Sequence, residues 1–234
     1  MRHKILDGGC LELFTTGKSS VLLFQRGLGT ISQNYIELIT LLTNDFEVLV
    51  TNVSKLKKDS PQPKSIEEYV NGAVEICSRN KIEPTYKFGH SLGGHLVLIE
   101  PINSEKNISI SPIVSVDYGL YGFLARAIYQ GVKGYNSPEG REMSNSITLK
   151  ITKNLPNIIE FVENLKKCDY TFAPKVPSLV IETESDEFFA PTKESRELFK
   201  HKNIKHKIVD RDHSWPIFHP QEVYEEVKGF LEGK

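Results

Sequence analysis

Cysteine is scarce in this chain: Cys10, Cys77 and Cys168 are the only three in 234 residues. An odd, sparse set is not a disulfide framework, and without a Cys-x-x-Cys or a Cys/His ligand pair it offers no zinc site. An excess of charge of either sign is also missing. Lysine and arginine number 29 against 30 acidic residues, a net charge of −1, so composition gives no basic surface of the kind that holds nucleic acid. Lysines gather at Lys55, Lys57 and Lys58 and from Lys200 to Lys207, and both groups read as solvated faces. Long apolar runs are lacking as well. Val21 to Phe24 is typical of them, against the roughly 20 residues of a membrane-spanning helix. The opening residues, Met1 to Gly8, hold no apolar stretch of signal-peptide length. The expectation is a soluble, cytoplasmic protein with no stable membrane insertion, no nucleic-acid partner, no metal and no cofactor.

What the chain does have is an alternation of strand-like and helix-like stretches. Residues 3–7 and 10–15 read as a hairpin about Asp7-Gly8-Gly9. Val21-Leu22-Leu23-Phe24 is a continuous apolar run, the mark of a strand buried on both faces. A helix is expected from about Asn34 to Leu42 and a strand over 46–53. Ser65 with Glu68 three residues on reads as a helix start, with the helix running to about Asn80. Further strands are expected at 86–88, within 108–116, at 177–181 and at 204–209. Helices are expected at 93–100 and 221–231, the last with Val223, Val227, Phe230 and Leu231 on one face. Strands alternating with helices predict an α/β protein with a doubly wound, mostly parallel sheet. About fifty residues interrupt the rhythm. They read as helices broken by Pro156 and by the Asn136-Ser137-Pro138-Glu139-Gly140 turn. The reading is one domain: a core over 1–117 and 170–234, with a helical lid inserted at 118–169.

Gly89-His90-Ser91-Leu92-Gly93 lies between a predicted strand and a predicted helix. A Gly-x-Ser-x-Gly turn in that context holds the serine in a strained conformation and exposes its Oγ, while the next N–H faces the place where an oxyanion forms. With Gly94 following, the stretch resembles the nucleophile elbow of the α/β-hydrolase superfamily. The resemblance extends over almost the whole chain and implies the order nucleophile, acid, histidine.

A serine hydroxyl needs a histidine to take its proton and a carboxylate to orient that histidine. The acid is expected in the turn after the strand ending at Ile181. By the resemblance Asp186 and Pro191 fit the family's spacing, with Glu182, Glu184, Glu187 and Asp117 as competitors. Of seven histidines, His213 occupies the family's histidine loop. His90 sits inside the elbow, His95 on the following helix, His201 and His206 in a lysine-rich stretch read as surface, and His219 at the entry to the last helix; His3 lies at the N-terminus. The resemblance gives the oxyanion N–H groups to Leu28 and Leu92. Arg26 stands where the family usually has histidine, Thr183 where it usually has glycine, and residues 51–60 lack the family's arginine–glycine stretch. Arg26 reads as a buried cation paired with a carboxylate, or else as part of the substrate pocket with the lid's Tyr118, Tyr121 and Phe123.

The resemblance implies a serine hydrolase acting on a small carboxylic ester or thioester through an acyl-enzyme. The same residues also serve C–C bond hydrolysis, acyl transfer or lyase chemistry. A non-catalytic binding module on the same fold is the alternative from another class.

Overall fold

Apolar runs on both sides of Gly27 build the centre of the molecule. Val21–Gln25 (β3), Glu47–Thr51 (β4), Tyr86–His90 (β5), Lys106–Ile110 (β6), Ser178–Thr183 (β7) and Ile204–Val209 (β8) pair in parallel. Arg2–Leu6 (β1) and Leu11–Thr15 (β2) form the expected hairpin, and β2 pairs antiparallel with β4. The sheet order is β1-β2-β4-β3-β5-β6-β7-β8. This computed structural model describes residues 1–56, 63–114, 156–168, 170–189 and 191–233, with Gly122, Ala125, Arg126 and Arg141. Tyr118, Tyr121 and Phe123 lie outside the described residues, as do Asp117 and most of the stretch 118–169 read as a lid.

The helices sandwich this sheet. Ile36–Leu42 (α1) and Pro220–Leu231 (α7) cover one face, where Tyr35, Leu38, Leu42, Val223 and Val227 meet Phe24, Val50 and Phe88. Ile66–Arg79 (α2) and Leu92–Ile99 (α3) cover the other. The strands serve both layers: Leu22 and Phe24 belong to one cluster and Leu23 to the other, as period-two alternation requires. The helix over 156–165 (α4) sets Phe161 and Leu165 against Ile66, Leu92 and Leu96. It is tied to the start of α2 by Asn164 Nδ2 donating to the Lys64 carbonyl at 3.0 Å and by a Lys64–Glu160 ion pair at 2.9 Å.

Several boundaries differ from the sequence reading, each for a local reason. The helix expected from Asn34 begins earlier, as a 3-10 turn over Ser32–Tyr35. The Ser65 cap is present, accepting from the Glu68 N–H at 3.2 Å, but the Glu68 carboxylate takes the N–H of Lys64. Strand β6 ends at Ile110 because Ser111 turns the chain with φ +44°. In the stretch about Pro156 the described helical residues run over 156–165, beginning with that proline. Two short helices, Lys193–Leu198 (α5) and Trp215–Phe218 (α6), were not anticipated. Trp215 is the chain's single tryptophan. It is buried, and its indole N–H donates to Glu222 of α7 at 2.9 Å.

Chain order reverses about β3: β4 lies on one side of it and β5 on the other. Open α/β sheets form their crevice at such a point, outside the carboxyl ends of the strands. Arg26, Ser91, Asp186 and His213 all follow the carboxyl ends of strands.

Candidate active site

Ser91 joins β5 to α3 with φ +56° and ψ −120°, a conformation that costs a non-glycine residue about 1–3 kcal/mol. The flanking glycines are required by contact. A Cβ on Gly89 would lie 2.0 Å from the Gly93 carbonyl oxygen, and a Cβ on Gly93 would lie 1.9 Å from the Gln25 carbonyl oxygen at the end of β3. The elbow is therefore backbone packed on backbone, held by the Ser91 N–H donating to the Ile110 carbonyl at 2.9 Å. Leu92 is the first residue of α3, where a helix N–H has no intrahelical acceptor.

Asp186 and His213 meet on the same strand-end rim, the His213 ring centroid 4.8 Å from that of His90, the residue before Ser91. The His213 Nδ1 lies 2.8 Å from Asp186 Oδ2. A carboxylate only accepts, so Nδ1 carries a hydrogen. Asp186 is buried and receives further bonds: Phe188 and Phe189 N–H groups reach Oδ1 at 2.7 and 2.8 Å, and the Thr183 hydroxyl reaches Oδ2 at 3.0 Å. Burial works against its charge, but the charge and hydrogen bond of His213, with the Phe188 and Phe189 N–H groups, outweigh burial and hold the carboxyl below its ordinary range. The rings of Phe188 and Phe189 pack on the imidazole with centroids 4.9 and 5.5 Å away.

Thr183 has a role that was not foreseen. Its one hydrogen goes to Asp186, so the Ser111 hydroxyl, 2.8 Å away, donates to it. The departure from the family pattern was the available signal. Two of the competitors for the acid lie elsewhere. Glu182 is buried but bonded to His206 Nε2 at 2.7 Å and to the Ser195 hydroxyl at 2.8 Å. Glu184 is exposed. His206 is accordingly a half-buried partner of Glu182, which corrects its reading as surface. His95 is buried and bonded through Nδ1 to the Ile113 carbonyl at 2.7 Å. Burial lowers its pKa to about 4.

The loop after β3 approaches Ser91 closely. A Cβ on Gly27 would lie 3.3 Å from the serine Cβ. Thr30 closes the loop, its N–H and hydroxyl donating to the Gly27 carbonyl at 3.3 and 2.7 Å. Among the described residues Arg26 has no carboxylate partner. Its Nη1 donates to the Thr30 carbonyl at 2.6 Å and its Nη2 to the Thr51 carbonyl at 3.5 Å, so it staples the loop to the end of β4. Its Nε is buried without a hydrogen-bond partner among the described residues. Arg26, Leu28, Thr51, Tyr69 and Leu92 line a cavity of about 40 Å³, room for about one water molecule.

Among the described residues no group of three His, Cys, Asp or Glu side chains is placed to hold a metal ion, and no helix is long and apolar enough to cross a membrane.

No protein-family model and no curated protein sequence matches the chain. Solved structures do. A hydrolase from Pseudomonas aeruginosa is 16% identical, with a TM-score of 0.75 over 100% of this chain and 98% of its own. An enol-lactonase from Burkholderia xenovorans is 18% identical, with a TM-score of 0.73 over 99% and 100%. A carboxylesterase from Bacillus subtilis is 16% identical, with a TM-score of 0.66 over 96% and 87%. These likenesses, with the sheet order, define the class: the chain has the α/β-hydrolase fold.

Proposed function

We propose that the protein is a serine hydrolase that cleaves a small carboxylic ester or thioester, with Ser91 as nucleophile, His213 as base and Asp186 as its orienting acid. The observation that carries this reading is the His213–Asp186 hydrogen bond on the strand-end rim that also holds the strained Ser91. In this reading His213 Nε2 takes the Ser91 proton as Oγ attacks the carbonyl carbon. Asp186 stabilises the imidazolium that forms. The N–H groups of Leu28 and Leu92 receive the oxyanion, each contributing about 2.7–4 kcal/mol of transition-state stabilisation. The imidazolium returns its proton to the leaving alcohol or thiol, and water deprotonated by His213 then releases the acyl group.

The sandwich 1–117 and 170–234 forms the core, with 118–169 inserted as a lid over the rim. The packing of α4 against Leu92 and Leu96 supports that placement. The acyl group then lies against Leu28, Tyr69 and Phe188, which flank the same cluster, with Tyr118, Tyr121 and Phe123 contributed by the lid. Arg26 braces the loop. The names of the structural neighbours (a hydrolase, an enol-lactonase, a carboxylesterase) agree with acyl-oxygen chemistry.

Turnover of p-nitrophenyl butyrate tests the reading. The native protein should hydrolyse it, and Ser91→Ala should lower kcat by about 10⁴-fold or more. Activity surviving in Ser91→Ala, with no labelling of Ser91 by a fluorophosphonate in the native protein, would refute the assignment.

A further inference from the structure

His90 lies one residue before Ser91, and its own position in the elbow gives it no route to the serine hydroxyl as a base. It nevertheless touches both loops that a reaction at Ser91 needs. Its Nε2 lies 2.8 Å from the backbone carbonyl oxygen of His213, and its Nδ1 lies 2.7 Å from the Tyr35 hydroxyl. The Tyr35 oxygen in turn lies 3.4 Å from the N–H of Gly27, the residue before Leu28. All three side chains are buried, Tyr35 at 1%, His90 at 2% and His213 at 8% exposure.

The direction of every bond in this chain is fixed by chemistry. A carbonyl only accepts, so His90 Nε2 carries the hydrogen. A neutral imidazole has only one, so Nδ1 is a bare lone pair and accepts from the Tyr35 O–H. The Tyr35 oxygen then accepts from Gly27. Burial keeps the members neutral: it raises the Tyr35 pKa and lowers that of His90 to about 3. The sequence of donors is Gly27 N–H to Tyr35, Tyr35 O–H to His90, and His90 N–H to His213. It links positions 27, 35, 90 and 213.

We propose that Tyr35 and His90 are positioning residues, a hydrogen-bonded strut that holds the Gly27–Leu28 loop and the His213 loop at a set distance about Ser91. Gly27 is part of the same fit. A Cβ there would come within 3.2 Å of the Tyr35 hydroxyl and 3.5 Å of His90 Nδ1, so the loop rests directly on the strut. Reactions of this kind tolerate little displacement: a shift of about 1 Å costs about 100-fold in rate. The strut therefore acts on kcat rather than on ground-state binding. The kinetic half of the inference rests on the esterase reading; the direction of the hydrogen bonds does not.

Two measurements test it separately. In nitrogen NMR of histidine-labelled native protein, His90 should be neutral with its hydrogen on Nε2 at pH 7. A hydrogen on Nδ1, or a charged ring, overturns the strut whether or not the protein hydrolyses esters. Kinetically, Tyr35→Phe should lower kcat by about 10-fold and His90→Leu by about 100-fold, with KM little changed. His90→Gln restores a donor toward the His213 carbonyl and should recover part of the loss. Folded Tyr35→Phe and His90→Leu proteins with native kcat would refute the inference. So would losses in His90→Gln equal to those in His90→Leu and proportional only to the drop in Tm. A native protein inactive on esters and unreactive at Ser91 instead removes the esterase reading and leaves the NMR result to decide the strut.

Discussion

Histidine meets a buried carboxylate twice along the border of β7 and β8. His213 bonds Asp186 at 2.8 Å and His206 bonds Glu182 at 2.7 Å. Each carboxylate also accepts from a hydroxyl, Thr183 in one case and Ser195 in the other. By residue type the second group even holds a serine, a histidine and an acid. The difference is place and order. Glu182 and His206 are within the strands, two residues apart in register and so on one face. The His206 ring rests on Phe199 with centroids 5.1 Å apart. The carboxylate stands between serine and histidine and receives from both, so no base faces the Ser195 hydroxyl. Asp186 and His213 instead follow the strand ends, where His90 ties the histidine loop to the elbow. What sets the first pair apart is its place on the rim with the strained serine, which the proposed chemistry needs.

Breaking each pair should separate them most sharply in activity. His213→Gln should lower kcat/KM toward p-nitrophenyl butyrate by about 10⁴-fold, while His206→Gln should leave it within about twofold of native. Comparable losses in both variants would abolish the distinction. A smaller effect should appear in acid. His90 and His95 are buried with pKa values lowered to about 3 and about 4, in each case first by burial. The unfolded chain binds their protons near pH 6.5, so the stability linked to their neutral forms is complete above that pH. It is lost as pH falls toward 4, by about 1.4 kcal/mol per pH unit for each histidine. Urea midpoints at pH 7, 6 and 5 measure this slope, and a flat profile would contradict the burial of two neutral rings. The smallest effect concerns the hydroxyls. Thr183→Val and Ser195→Ala should each cost about 1.5–3 kcal/mol of stability, the usual worth of a hydrogen bond to a charged group. Only Thr183→Val should also reduce kcat, because only its carboxylate orients a histidine on the rim. Equal kinetic effects would place both pairs in one functional network.

The strands and the elbow were legible in the sequence because both are local. Val21 to Phe24 and Leu179 to Ile181 are apolar runs that bury both faces, and Gly89 marks a contact with Gly93 made within a few residues of Ser91, although Gly93 itself packs on Gln25 of β3. The pairing of Asp186 with His213 was legible through the order and spacing of the loops. What escaped depends on contacts across the fold. Tyr35, His90 and His213 are joined over 55 and 123 positions. Nothing in the lysine-rich stretch around His206 announces that Glu182 lies beside it. Arg26 was read as a cation paired with a carboxylate or as part of the pocket, and the partners described are peptide carbonyls of Thr30 and Thr51. Main-chain acceptors have no sequence signature.

The buried Trp215 has an optical consequence. The single indole of the chain sits two residues beyond His213, fixed to α7 through Glu222. Its emission therefore reports on one place, the junction of the histidine loop and the final helix, without any added label. Ligands that shift that loop will register as a change in colour or intensity, which can be followed by fluorescence in the native molecule.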